Sequence, residues 1–433
     1  MKFIRYLRNH HSMIILLKQA RIISSTSSHH HQLKDILIEN GLIKTIAENI
    51  DATADHVIFK DNLHVSIGWM DVFSFFGEPG YEHKETLETG AAAAAAGGFT
   101  DVMVLPNTQP VVSTKSQVAH LKNQSAALPV SIHPIGSVTK NAEGKELAEM
   151  YDMHDAQAIG FSDGINAIQQ PGMMLKALQY VTAVNSSIIQ IPDDKTISAH
   201  GLMNEGITST QLGLPGKPAI AEELMIARDI ELLRYTNSKL HITGVSTQKG
   251  IELINAAKKQ GLNITCSVSP YHCLLSDEDL VAYDSNLKVN PPLRTKADML
   301  ALQKAVINGD IDCIASHHLP QHNDDKQCEF EYAKNGMETL EIVFVAINSF
   351  HTNLDALIEM FSIAPRTIFN QPIATIEEGQ PASLTLFDPA PVFTFTDDLI
   401  VSKSHNNAFV GRQLKGTVVG IIHKNRVYLN AHG

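Results

Sequence analysis

Through the middle of this chain, short apolar runs alternate with longer segments whose apolar residues recur every three or four positions. Eight runs read as strands, at residues 70–75, 99–105, 130–135, 158–163, 197–200, 239–245, 263–268 and 312–317. Most are separated by helical segments of about 10 to 15 residues, clearest over 221–235 and Gln248–Lys259. Strands that alternate with helices of that length form a parallel sheet covered by its own crossovers. Eight such units in about 250 residues predict an α/β fold closed as a (β/α)8 barrel, here residues 65–371, with its chemistry at the C-terminal ends of the strands. Six consecutive alanines, 91–96, suit a tightly packed helix.

Both ends of the chain follow a different rule. Residues 13–23, Leu33–Glu39 and 56–60 are β-rich and separated by Ser, His and Asn-Gly turn material, and 383–387 and 416–428 resemble them. They predict one small β domain built from 13–64 and 372–433. Residues 1–12 are expected as an extension ahead of the first strand. Basic residues there precede a short apolar run, but Lys18 and Arg21 interrupt it and no small-residue cleavage site follows, against a signal peptide. No apolar run approaches the roughly 20 residues of a membrane span.

Charge narrows the partners. With 34 basic and 46 acidic residues in 433, the formal net charge is -12, which repels phosphate backbones and anionic lipid heads. Neither nucleic acid nor a membrane surface is expected as a partner. The four cysteines, Cys266, Cys273, Cys313 and Cys328, contain no C-x-x-C pair, so neither a zinc ribbon nor a disulfide framework is indicated and a reducing cytoplasm is the expected location.

Local motifs at the strand ends point one way. They are Glu78-Pro79-Gly80 with His83-Lys84-Glu85-Thr86, Gly97-Gly98-Phe99-Thr100, Leu105-Pro106-Asn107-Thr108, Phe161-Ser162-Asp163, Met203-Asn204-Glu205-Gly206 and Asn290-Pro291-Pro292-Leu293-Arg294. In order and spacing the chain resembles the dihydroorotases of the amidohydrolase superfamily, in the branch with aspartate at strand four. The resemblance implies a metal-dependent hydrolase interconverting carbamoyl-aspartate and dihydroorotate in pyrimidine synthesis. Zinc in such a site polarises an amide carbonyl and makes water nucleophilic, and it needs three or four N, O or S donors.

Against that pattern, the chain departs where the chemistry resides. The resemblance places two histidine ligands and a carboxylate-binding arginine at positions that here hold Phe73, Phe75 and Gly77. The second histidine of strand six is Gly244, the aspartate of strand eight is His317, and the following substrate histidine is Gln321. Asp163 and His200 match retained ligand positions, and Asn107 and Asn290 match substrate-contacting asparagines. Alternation along a strand sends Phe73 and Phe75 to one face, into the barrel mouth, while Phe76 points toward the helices. Apolar filling of the old metal cavity is therefore the leading expectation, and no cofactor is expected. The rival is one zinc on the remnant trio Asp163, His200 and His317, in a working cyclic-amide hydrolase. A third reading is a sensor of a pyrimidine-like ligand through Asn107 and Asn290, although each adjoins a proline and suits a strand-end turn. His241, His318 and His322 read as hydrogen-bonded structural histidines, 29–31 as a solvated turn, and Asp71 as structural. Noncatalytic chains of this family accompany aspartate transcarbamoylase. The resemblance thus implies a noncatalytic subunit with that enzyme as partner, in a homo- or hetero-oligomer.

Overall fold

A computed structural model describes residues 13–431, so the extension expected at 1–12 lies outside the described residues. Five strands open the chain: β1 (Ile14–Ile22), β2 (Leu33–Glu39), β3 (Leu42–Ala47), β4 (His56–Ile58) and β5 (His64–Ile67). The middle contains β6 (Trp69–Ser74), β7 (Phe99–Val104), β8 (Ser131–Gly136), β9 (Gly160–Phe161), β10 (Ile188–Gln190), β11 (Met203–Asn204), β12 (Gly216–Lys217), β13 (Leu240–Thr243), β14 (Ile264–Val268) and β15 (Cys313–Ile314). Three more close it: β16 (Leu384–Thr394), β17 (Gln413–His423) and β18 (Arg426–Leu429).

The two chain ends meet in one sheet, ordered β18-β17-β16-β5-β1-β2-β3 with β4 beside β1. Its joint is the antiparallel pair of β5 and β16. The other large sheet runs β15-β14-β13-β10-β9-β8-β7-β6 with parallel neighbours throughout. A parallel bridge from Ser74 to His318, with the Phe75 N–H donating to the His318 carbonyl at 2.8 Å, brings its two edges together. This is the (β/α)8 barrel, and β11 and β12 are a small excursion on its rim.

The strand expected at 197–200 is a correction. Those residues lie in the helix Lys195–Ser198 and the turn after it, and the fifth barrel strand is β10. The physical reason is local: Asp194 caps that helix by accepting from the Thr196 N–H at 2.9 Å, while the fully buried run at 188–191 ends against Pro192. The helix over 221–235 is found at Ile220–Thr236, and the next at Gln248–Lys259. The alanine run forms the helix Leu87–Ala96, capped by Thr86 and buried over most of its length.

The two sheets are welded at Gly68. The only tryptophan of the chain, Trp69, is fully buried among Phe344, Phe361 and Phe387, and its indole N–H donates to Ser66 Oγ at 2.9 Å. Arg366 donates to the Gly68 carbonyl at 2.7 Å and pairs with Asp101 at 2.6 Å. No helix among the described residues is long and apolar enough to cross a membrane.

Candidate functional site

The C-terminal strand ends form a mouth with two unlike sides. On the first, β6 delivers Phe73 and Phe75 into one apolar cluster with Met103, Leu105, Ile191 and Leu319. Phe76 points the other way and packs against the helix Leu87–Ala96, where any side chain at Gly90 would strike its ring. The Phe73 ring stacks on the imidazole of His317, with centroids 4.6 Å apart and planes 29° from parallel.

His317 is held in a left-handed backbone conformation, φ +49°, that a histidine adopts only when its surroundings enforce it. Its Nε2 meets Thr243 Oγ1 at 2.8 Å. From there the contacts run through Ser267 Oγ at 2.9 Å to Nε2 of His241 at 3.0 Å, whose Nδ1 meets Thr265 Oγ1 at 2.8 Å. Burial pushes the His317 imidazole down to about 3, with His272 and His241 adding to the effect. His241 is pushed down to about 3 in the same way, so both rings are neutral near pH 7.

Two glycines complete this dry side. At Gly244, φ is +70° and an added Cβ would lie 2.6 Å from His317 Cε1, so the glycine leaves room for the His317 ring. At Gly77, φ is +67° and a Cβ would meet the carbonyl oxygens of Glu85 at 2.5 Å and Tyr81 at 2.7 Å. The position matching an arginine is closed to any side chain.

The remnant metal trio is not assembled. Asp163 turns its carboxylate to Thr139, accepting from the backbone N–H at 2.8 Å and from Oγ1 at 2.5 Å, and burial raises its pKa. His200 is exposed on the turn after Lys195–Ser198, so the retained-ligand match is corrected: the residue that ends β10 in the mouth is Ile191, an alkyl group without a donor. His317 spends Nε2 on Thr243, and its Nδ1, buried without a hydrogen-bond partner, is a single nitrogen where zinc needs three or four donors. The residues present at this mouth do not fit a zinc ion.

Two other groups gather three ligand atoms each among the described residues: His30, His31 and Asp355 at the surface, and His318, Glu338 and Glu341 in the interior. In both, Nδ1 of one histidine accepts a backbone N–H, from Ser24 to His30 at 3.1 Å and from Thr339 to His318 at 3.1 Å. With Nδ1 accepting, the ring proton belongs on Nε2, which then offers no lone pair to a metal. The interior group also has Glu85, 3.4 Å from His318 Nε2; it leaves His318 Nε2, Glu338 Oε2 and Glu341 Oε2 buried without hydrogen-bond partners, and burial with the neighbouring Glu341 raises the Glu338 pKa well above the carboxylate range. It ties 401–402 to the barrel through Glu341, which accepts from the N–H groups of Val401 and Ser402 at 2.9 and 2.8 Å. The run 29–31 is a surface turn with His31 exposed, and His31 pairs there with Asp355 at 3.1 Å. His322 is a half-buried cap, accepting from the Asp324 N–H at 3.3 Å.

The second side of the mouth is wet. A cavity of about 780 Å³ opens there, with Phe75, Ile191 and Leu319 as its apolar wall. Asn107 borders it but is spent on structure: its amide donates to the Asp163 carbonyl at 3.0 Å and accepts from the Ile165 N–H at 3.1 Å. Asn290 accepts from Lys217 Nζ, which pairs with Asp193 at 2.8 Å. Gln321 accepts from Lys84 at 2.6 Å and donates to the Asn335 carbonyl at 2.7 Å. Lys217 and Asp193 escaped the sequence reading, and Lys84 entered it only as part of the His83-Lys84-Glu85-Thr86 motif. Asp193 lies just past the true fifth strand, after Ile191 and Pro192, so placing that strand at 197–200 hid it.

Other motif residues act as scaffold. Asp71 is buried and accepts from the Ser316 N–H at 2.6 Å and from Ser74 Oγ at 2.5 Å, locking the first strand to the eighth. Arg294 is buried and reaches Ser246 Oγ at 3.0 Å, the Lys217 carbonyl at 3.0 Å and Glu222 at 3.4 Å, bracing the β12 rim.

Comparison with known proteins agrees with this architecture. A family model described as Dihydro-orotase-like matches residues 64–250. The dihydroorotase of Carboxydothermus hydrogenoformans is 38% identical over 399 residues, covering 91% of this chain and 93% of the relative. That of Pelotomaculum thermopropionicum is 37% identical over 406 residues, covering 91% and 95%. Among solved structures, the L-hydantoinase (dihydropyrimidinase) from Arthrobacter aurescens superposes with a TM-score of 0.82 at 22% identity over 96% of each chain, a likeness of fold. Barrel, composite β sheet and full-length sequence similarity together place the chain in the dihydroorotase family of amidohydrolase-type barrels.

Proposed function

We propose that this dihydroorotase-like chain serves pyrimidine biosynthesis in the cytoplasm as a noncatalytic binding subunit, without a resident zinc. The observation that carries the reading is the Phe73–His317 stack at 4.6 Å, which fills with two packed rings the place where a metal would need donors. A buried imidazole near pKa 3 is a weak base, and its Nε2 is engaged by Thr243, so it does not replace a catalytic aspartate. The family's partner proposal follows: the intact scaffold docks on aspartate transcarbamoylase and stabilises it by mass action.

Two assays test this. Purified chain is expected to hydrolyse no dihydroorotate above blank, and turnover abolished by His317→Ala contradicts the reading. Co-expression with aspartate transcarbamoylase followed by size exclusion is expected to give one complex. Separate elution at micromolar concentration, with the catalytic chain fully active and stable alone, removes the subunit role. A second reading, ligand sensing, is favoured by one observation, the 780 Å³ cavity on the wet side.

A further inference from the structure

The interior cluster of Glu85, His318, Glu338 and Glu341 has more acceptors than donors. Glu85, His318 and Glu338 are fully buried and Glu341 is 9% exposed, and one side-chain atom each of His318, Glu338 and Glu341 lies within 4.8 Å of the other two. Three ionised carboxylates beside one protonated imidazole would still leave an excess of two negative charges away from water, and a buried charge without a partner neutralises instead. One oxygen of each carboxyl in the pair is accounted for: Glu338 Oε1 accepts from Asn407 Nδ2 at 2.5 Å, and Glu341 Oε1 accepts from the N–H groups of Val401 and Ser402. What remains is Oε2 on both, two acceptors without a donor on groups within hydrogen-bonding reach of each other. A single proton between them supplies the donor and removes one charge. Two backbone N–H groups favour charge on Glu341, so the proton belongs on Glu338, whose carboxyl burial and then the charge of Glu341 push well above the usual range. Glu85 stays ionised: although burial opposes it, the His318 ring beside it and donors from Ser402 and Thr89 hold its carboxyl below the usual range.

Residues 401–407 form a strap that hangs on this cluster. Val401 and Ser402 hold Glu341, Asn407 holds Glu338, and Ser402 Oγ and the Lys403 N–H hold Glu85, the latter at 3.2 Å. Between those anchors Ser404 Oγ donates to the Lys84 carbonyl at 2.7 Å, and Asn406 accepts from the Gln321 N–H at 3.0 Å and donates to the Gly336 carbonyl at 3.0 Å. The strap thus joins the loop after β6 to the loop after β15, and both loops border the mouth through Lys84 and Gln321. The other titratable groups on the elements packed here turn away. Lys403 directs its ammonium to the Glu82 carbonyl at 2.5 Å, His405 pairs with Asp397 at 2.9 Å, and Glu88, on the helix Leu87–Ala96 that packs against the 3₁₀ turn Leu340–Ile342, is exposed.

We propose that Glu338 and Glu341 hold one proton between their orphan oxygens and that this proton locks the strap 401–407 to the barrel, so that its loss as pH rises frees the strap and loosens the mouth's border. The sign follows from linkage. A strap that has opened, or a chain that has unfolded, exposes Glu338 to water, where it releases its proton near the ordinary value of about 4.3, whereas the closed pair retains it. The stability due to the locked strap is therefore complete below about pH 4.3 and is lost progressively as pH rises toward the raised value of the closed pair. The device is independent of catalysis and of any ligand in the mouth.

Trypsin nicking after the exposed Lys403 and thermal unfolding of the full chain, both followed against pH, test it beside Glu338→Gln, which keeps an acceptor for Asn407 and a donor for Glu341 but has no proton to lose. The nicking rate of the unmodified chain relative to the variant is expected to rise with pH, by up to about tenfold per unit. The two unfolding midpoints are expected to lie close together near the ordinary carboxylate value of about 4.3 and to separate as pH rises, the unmodified chain falling behind. Glu341→Gln, which keeps an acceptor for Val401 and Ser402 and donates to Glu338, is the second variant and carries the same expectation. A nicking ratio or a midpoint gap that does not change with pH overturns the proposal, and so does loss of the fold in both variants, since each keeps the hydrogen bond. A midpoint raised by calcium or magnesium in the unmodified chain but not in Glu338→Gln overturns it as well, by putting a cation where the proton is proposed.

Discussion

The two sides of the barrel mouth lie next to each other and obey opposite rules. Around Phe73 and His317 the rings are packed, and the polar contacts run through Thr243, Ser267 and His241 while His317 Nδ1 stays buried without a partner. Around Lys217 and Lys84 there is a cavity of about 780 Å³, and both ammoniums are paired with carboxylates, Asp193 and Asp325. The difference teaches how the proposed noncatalytic reading divides the mouth: apolar groups fill one half and leave the other half open. A buried site without donors is stable only if it is packed, whereas a concave site with lysines is stable because water reaches it.

Breaking the dry side by removing its largest ring has the largest expected effect. Phe73→Ala, at a fully buried position, is expected to cost about 3–5 kcal/mol in denaturant unfolding, and Phe75→Ala, which borders the cavity, distinctly less. Equal costs would mean that the two sides are packed alike.

Next comes the fit of Gly244 to His317. Gly244→Ala combines a close contact with a left-handed backbone and is expected to cost about 1–3 kcal/mol. A double-mutant cycle with His317→Ala is expected to recover part of it, because the contact is then gone. Strict additivity would show that only the backbone matters.

Acid sharpens the comparison further. His317 and His241 are pushed down to about 3, and His272 and His423 to about 4, in each case first by burial. With folded pKa values below the ordinary value of about 6.5, the unfolded chain takes up protons first as the pH falls. The stability these neutral rings confer is therefore complete above about pH 6.5 and is lost on descending toward pH 4, by about 1.4 kcal/mol per pH unit for each ring. His317→Asn is expected to flatten the unfolding midpoint's dependence on pH between 6.5 and 4, and an unchanged slope would contradict the buried neutral imidazole. The smallest effect belongs to the exposed His200, whose replacement by Ala is expected to change stability by under about 0.5 kcal/mol and metal content not at all.

Much of this architecture is legible in the sequence because hydrophobic periodicity records burial. Seven of the eight barrel strands lie where apolar runs place them, and the helix Gln248–Lys259 matches residue for residue. The fifth strand is missed because β10 is three residues long and bounded by serines and a Pro-Asp-Asp corner, so its run is too short to stand out. That one error moved a ligand assignment onto a surface turn at His200. The fate of Phe73 and Phe75 is legible from strand alternation, whereas the His317 stack and the Lys217–Asp193 pair join residues distant in sequence that periodicity does not couple. Gly77 reads in the sequence as a lost arginine. Its geometry adds that the neighbouring turn has closed over the position.

The central claim is that packed rings occupy the place of the metal. Elemental analysis of the chain, purified without added metal and again after incubation with zinc followed by gel filtration, tests it most directly. Well below one zinc per chain in both preparations is the predicted result, with Phe73→His alone unable to raise it, since one donor does not make a site. One zinc per chain retained through gel filtration, and lost in His317→Ala, would contradict the account.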